Sequence, residues 1–133
     1  MNATVPSISI YAALLALLAA ALTVNVILNR VRSGVASGDG GVSGLARAIR
    51  AHANFTEQAP IALIAIACGE ASGVRPFVIN IFGVALIVAR LTAAYALNRS
   101  IGQSPPRQFA GGLSILILVA AGIAALLATL GMR

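Results

Sequence analysis

Arg50, Asn54 and Glu57 place a guanidinium, a carboxamide and a carboxylate at i, i+4 and i+7. On a helix of 3.6 residues per turn all three fall on one face. Arg47 extends the row at one end, and His52 points almost to the opposite side. The apolar run that follows, Ala59 to Cys68, holds only ten residues, whereas a membrane-spanning helix needs roughly 20. Counting back that far from Ser72 puts Asn54 and Glu57 at or inside the membrane boundary. Ionisable groups at that depth are costly, which makes a functional site the first expectation. The structural alternative is a neutralising ion pair between Glu57 and Arg90, since a lone charge in hydrocarbon is prohibitive. Pro60 removes the helical hydrogen bond to the Thr56 carbonyl, and a bend is expected there.

A second candidate is Arg107, just after Ser104-Pro105-Pro106. Serine followed by proline suits a first helical turn, where amides lack internal partners. An arginine at that end adds its charge to the positive pole of the helix, which favours anions. The plain alternative is an arginine that snorkels to the interface. His52 lacks an acidic orienter and reads as a packing or interfacial residue. Cys68 reads as a small apolar residue, with no cation beside it to activate its thiol. As the only cysteine it excludes a disulfide framework and a cysteine metal cluster. Tyr11 is expected to anchor the interface, and Tyr95 could do the same or donate its hydroxyl to a ligand.

The elements that must carry these residues are membrane helices. The chain is 59% hydrophobic and 9% charged, with nine arginines, three acids and no lysine; a soluble domain would be roughly a quarter charged. Its net charge of +6 comes from scattered arginines without a basic stripe or aromatic platform, which argues against nucleic acid. Met1 to Pro6 has no basic segment, and the apolar stretch behind it is too long for a signal peptide, so a retained first span is expected. Four spans are expected, at about 7–29, 53–72, 76–97 and 106–132, the second entered by a polar helix from near Ser43. The runs lack the alternation of a barrel strand, so the fold class is an all-α four-transmembrane-helix bundle forming a single domain over 1–133. The glycine-rich segment between Arg32 and Ser43 is a loop without the ending of a phosphate loop. Small residues of the first and fourth spans, among them Ala12, Ala16, Gly111, Gly112 and Gly122, are expected to permit close helix approach and association of subunits. Arg30, Arg32, Arg47, Arg50, Arg99 and Arg107 lie at the ends facing connections one and three, against Arg75 and Arg133 on the other side. Six against two places those connections in the cytoplasm and both termini outside.

The second-span pattern Arg-Ala-His-x-Asn-x-x-Glu-x-x-Pro, met by Arg50, Ala51, His52, Asn54, Glu57 and Pro60, resembles that of MAPEG, the membrane-associated proteins of eicosanoid and glutathione metabolism. Asn54-Phe55-Thr56-Glu57 and Gly38-Asp39-Gly40-Gly41 look most like the small bacterial members; Ala89-Arg90-Leu91 and Arg107 also look like family positions. The resemblance implies a homotrimer in a bacterial inner membrane, with glutathione as co-substrate between subunits near the cytoplasmic face. It implies that Arg32, Arg50, Asn54 and Glu57 bind the tripeptide and that Arg107 stabilises its thiolate. The chemistry is consistent, because glutathione carries two carboxylates and an amine, and a guanidinium raises the thiolate fraction of a nearby thiol. The implied activity is a transferase or peroxidase acting on lipophilic electrophiles from the bilayer, with membrane lipids as surroundings and no metal. Departures are Ala93 and Leu97, where many members carry histidine and tyrosine, and Ala53, an arginine in some eukaryotic members. These motivate an alternative, a non-catalytic scaffold that binds lipid or thiol. A small drug exporter would need an acidic residue in the first span, and Ser7 to Asn29 holds none.

Overall fold

The structure is a computed structural model that describes residues 6–100 and 102–131. Four helices follow in order: α1 (Ile8–Ser33), α2 (Ser43–Ala71), α3 (Pro76–Arg99) and α4 (Pro105–Thr129). The four-helix bundle expected from the sequence is thus observed. Met132 and Arg133, at the end of the expected fourth span, lie outside the described residues.

Local sequence accounts for most helix ends. α1 stops at Gly34, whose φ of 67° is left-handed and whose amide bonds the Arg30 carbonyl. Glycine meets that conformation without a Cβ penalty. α3 and α4 each begin with a proline, where its fixed φ fits and its missing amide costs nothing. Ser104 precedes α4 in extended conformation, although its side chain makes no capping bond. α2 runs without a break through Pro60.

α1, α3 and α4 are each long and apolar enough to cross a membrane. α2 has 29 residues, about 43 Å of helix at 1.5 Å per residue, but it carries Arg47, Arg50, Glu57 and Glu70. Its polarity is accommodated by position, because α2 packs against all three other helices. α3 does the same, whereas α1 and α4 lie on opposite sides of this central pair and do not touch among the described residues.

The close approaches match the expectation in part: Ala121 of α4 is buried, whereas the buried residues of α1 are not small. The buried small residues are chiefly Ala48, Ala51, Ala59 and Ala62 of α2 and Ala89, Ala93 and Ala96 of α3. α1 instead buries Tyr11, Leu15 and Leu22, and the space around Gly111, Gly112 and Gly122 is open. Small side chains serve the central pair and also α4, which buries Ala110, Ser114 and Ala121, whereas the buried face of α1 is built from larger residues. Tyr11 is likewise not a simple interfacial anchor. Its ring lies on Gly83 of α3, where a Cβ would overlap it, and its hydroxyl donates to Asn80 Oδ1 at 2.7 Å.

At the same end, Glu70 of α2 closes the start of α1. Its two carboxylate oxygens accept the Ser7 and Ile8 amides at 2.5 and 3.0 Å. These amides have no intrahelical partner, and the negative charge meets the positive pole of the helix. Nothing in the spacing along either helix announces this contact, which joins residues 63 apart.

Candidate functional site

The Arg50–Asn54–Glu57 row lies on one uninterrupted helix, as its spacing requires, but its members turn to different partners. Arg50 Nη1 and Glu57 Oε1 form an ion pair at 3.4 Å, with side-chain exposures of 44% and 54%. An exposed pair of this kind contributes about 0–1 kcal/mol, so opening it toward a ligand costs little. Asn54, between them, faces inward. Its carboxamide oxygen and backbone carbonyl accept from Arg90 Nη1 at 3.3 and 3.4 Å.

Arg90 is the largest fully buried side chain among the described residues, 1% exposed in the middle of α3. Its second terminal amino group donates to Ser114 Oγ of α4, and that hydroxyl donates onward to the Ala110 carbonyl at 2.6 Å. One guanidinium therefore ties α2, α3 and α4 together. Its Nε is buried and has no partner among the described residues. The expected Glu57–Arg90 pair is not formed. Arg90 reaches α2 at Asn54, almost one turn before Glu57, while Glu57 lies on the exposed side with Arg50. Burial is met here by neutral oxygens, and Ser114 had no signal in sequence beyond being one hydroxyl in an apolar run.

The remaining candidates occupy the same end of the bundle. That end is joined across helices by Arg47 Nε, which donates to the Asn98 carbonyl at 3.0 Å. Arg107 stands in the first turn of α4 and donates to the Gly102 carbonyl at 3.1 Å. Arg32 is exposed in the last turn of α1. It is Arg30 that faces α2, across a cleft of about 430 Å³ lined by Asp39, Ile49 and Arg50 among others. Arg30 Nη1 also donates to the carbonyls of Val35, Ala36 and Gly38, at 3.4, 3.3 and 2.9 Å, pinning the first connection. That loop turns through Gly34, Gly38, Gly40 and Gly41, all at positive φ. His52 Nε2 lies 3.2 Å from Thr23 Oγ1, a contact between α1 and α2 of the kind expected for a packing residue. Ala93 and Leu97 are 6% and 2% exposed within the helix packing. Tyr95 is exposed, with the Arg99 guanidinium 4.7 Å from its ring centroid.

The sequence matches the profile of the MAPEG family over residues 8–127. The chain belongs to the MAPEG family. Among curated proteins it is similar to the inner membrane protein YecN of Escherichia coli strain K12, 37% identical over 90 residues that cover 68% of this chain and 69% of the relative. The YecN protein of Escherichia coli O6:H1 matches to the same extent. No solved structure matches the chain. The apolar helices and these relatives together make this MAPEG member an integral inner membrane protein.

Proposed function

We propose that this MAPEG protein is a glutathione-dependent transferase or peroxidase acting on lipophilic electrophiles that partition into the bilayer. The observation that carries it is the Arg50–Asn54–Glu57 row, whose outer ion pair is exposed and whose central amide is held by Arg90. A guanidinium and a carboxylate flanking a fixed amide suit a ligand bearing both carboxylates and an ammonium group. Arg32, Arg50, Asn54 and Glu57 bind the tripeptide, and Arg107 lowers the thiol pKa so that the thiolate is the attacking species. In conjugation, sulfur forms the bond to the electrophilic carbon, the leaving group departs with its electron pair, and the thiol proton passes to solvent. The chain acts as a homotrimer with the site near the cytoplasmic face and both termini outside, in keeping with its arginine distribution.

The test is conjugation of an aryl halide by the detergent-purified protein, with and without Arg107→Ala. Loss of thiolate absorbance and turnover in the variant is expected; equal values in both forms remove Arg107 from the mechanism. Absence of glutathione binding at millimolar concentration overturns the assignment altogether.

A second reading, a thiol- or lipid-binding scaffold without chemistry, is favoured by Ala93 and Leu97, which are apolar and buried. It predicts that glutathione raises thermal stability while no electrophile is consumed.

A further inference from the structure

A second polar cleft, reached by the Arg47 that extends the Arg50 row but lined by none of Arg50, Asn54 and Glu57, opens at the arginine-rich end between α1, α2 and α3. It encloses about 500 Å³ and is lined by Leu22, Asn25, Asn29, Gly44, Arg47 and Asn98 among others. Its polar wall is tied together internally. Asn29 Nδ2 donates to the Asn25 carbonyl and Oδ1 at 2.8 and 3.1 Å. Asn25 Nδ2 donates to Asn98 Oδ1 at 2.9 Å, and Asn98 Nδ2 to the Ala94 carbonyl at 2.8 Å. Arg47 is held at one point only, through Nε on the Asn98 carbonyl. Both its terminal amino groups are without a hydrogen-bond partner among the described residues, and no carboxylate lines the cleft.

A half-buried guanidinium with its fork unengaged and its Nε fixed from behind matches an oxyanion with several equivalent oxygens. The cleft grades from Arg47 and Asn98, near helix ends, to Ala21 and Leu22 deeper along α1. A polar head over an apolar floor is the profile of a phospholipid. We propose that this cleft binds the phosphate of an anionic phospholipid, with Arg47 as the charged contact and Asn25, Asn29 and Asn98 as its rigid support. Basic pockets between helices at a cytoplasmic face recognise acidic headgroups by this chemistry. The site is independent of thiol binding.

The experiment is thermal unfolding and native mass spectrometry of the full chain in detergent, titrated with phosphatidylglycerol, phosphatidylcholine or glycerol phosphate. Phosphatidylglycerol is expected to stay bound and to raise the unfolding temperature, while the other two do neither. Arg47→Gln is expected to weaken phosphatidylglycerol binding about fivefold, the weight of one basic contact at a membrane surface. Arg99→Gln, which removes the same charge at the same end, leaves it unchanged. Arg47→Lys retains the charge without the fork and falls between, which keeps the comparison informative if the glutamine variant folds poorly. Equal losses in Arg47→Gln and Arg99→Gln would reduce the effect to diffuse charge and overturn the site. An equal response to glycerol phosphate overturns the lipid assignment, as does equal binding of phosphatidylcholine.

Discussion

Removing the neutral partner of Arg90 should harm the bundle more than removing Arg90 itself. Ser114→Ala leaves a charged N–H of a guanidinium that is 1% exposed without its acceptor. An unsatisfied buried donor costs about 1–3 kcal/mol, and more when charged, so a loss of about 3 kcal/mol is expected. The neighbourhood has little to offer in exchange, since Arg90 Nε is already without a partner and Nη1 reaches Asn54 only at 3.3 Å. Arg90→Met forfeits these hydrogen bonds but also relieves the burial of a cation. Apolar replacements of buried ionic groups are often neutral or stabilising, so stability should stay within about 1 kcal/mol of wild type. In the Arg90→Met background Ser114→Ala should then cost only about 1 kcal/mol, giving a coupling of about 2 kcal/mol between the two sites. Reversible unfolding in mixed micelles, titrated with dodecyl sulfate, measures all four proteins. A neutral Ser114→Ala together with an Arg90→Met loss above about 3 kcal/mol would show the opposite, that the buried cation is a net source of stability. On the proposed function, Arg90→Met also releases Asn54 and should weaken glutathione binding roughly tenfold, equivalent to about 1.4 kcal/mol, without a matching change in stability.

Two further outcomes test the opposite end of the bundle. Glu70→Ala removes both acceptors from the start of α1 and should cost about 1 kcal/mol, with faster amide exchange confined to the first turn of α1; uniform change along the helix would contradict the capping role. Gly83→Ala places a methyl group against the Tyr11 ring and should destabilise by about 1–3 kcal/mol, while Tyr11→Leu in the same chain should recover part of the loss. Equal cost with and without the tyrosine would mean that the overlap is relieved elsewhere.

Much of the architecture is legible in the sequence. Apolar runs too long for strands and too continuous for a soluble core specify four helices, and Ser104-Pro105-Pro106 marks the start of the fourth. The spacing of Arg50, Asn54 and Glu57 put them on one helix face, since i, i+4 and i+7 are neighbours on any helix. The second-span motif led to MAPEG, which the match over 8–127 bears out. What failed was the pairing between helices. Charge alone would join Glu57 to Arg90, yet Glu57 meets Arg50 while Arg90 meets Asn54 and Ser114.

The physical reason lies in the reach of each kind of constraint. Periodicity and capping act within one helix, so they specify which residues share a face and where the chain turns. The rotation and depth of one helix against another depend on how side chains interlock, and a shift of one turn changes every partner. That packing alone decided that α2 and α3 form the centre, that Glu70 closes α1, and that Tyr11 lies on Gly83. It also left the guanidinium of Arg47, one of nine arginines in the chain, fixed over an open polar cleft with its fork unengaged.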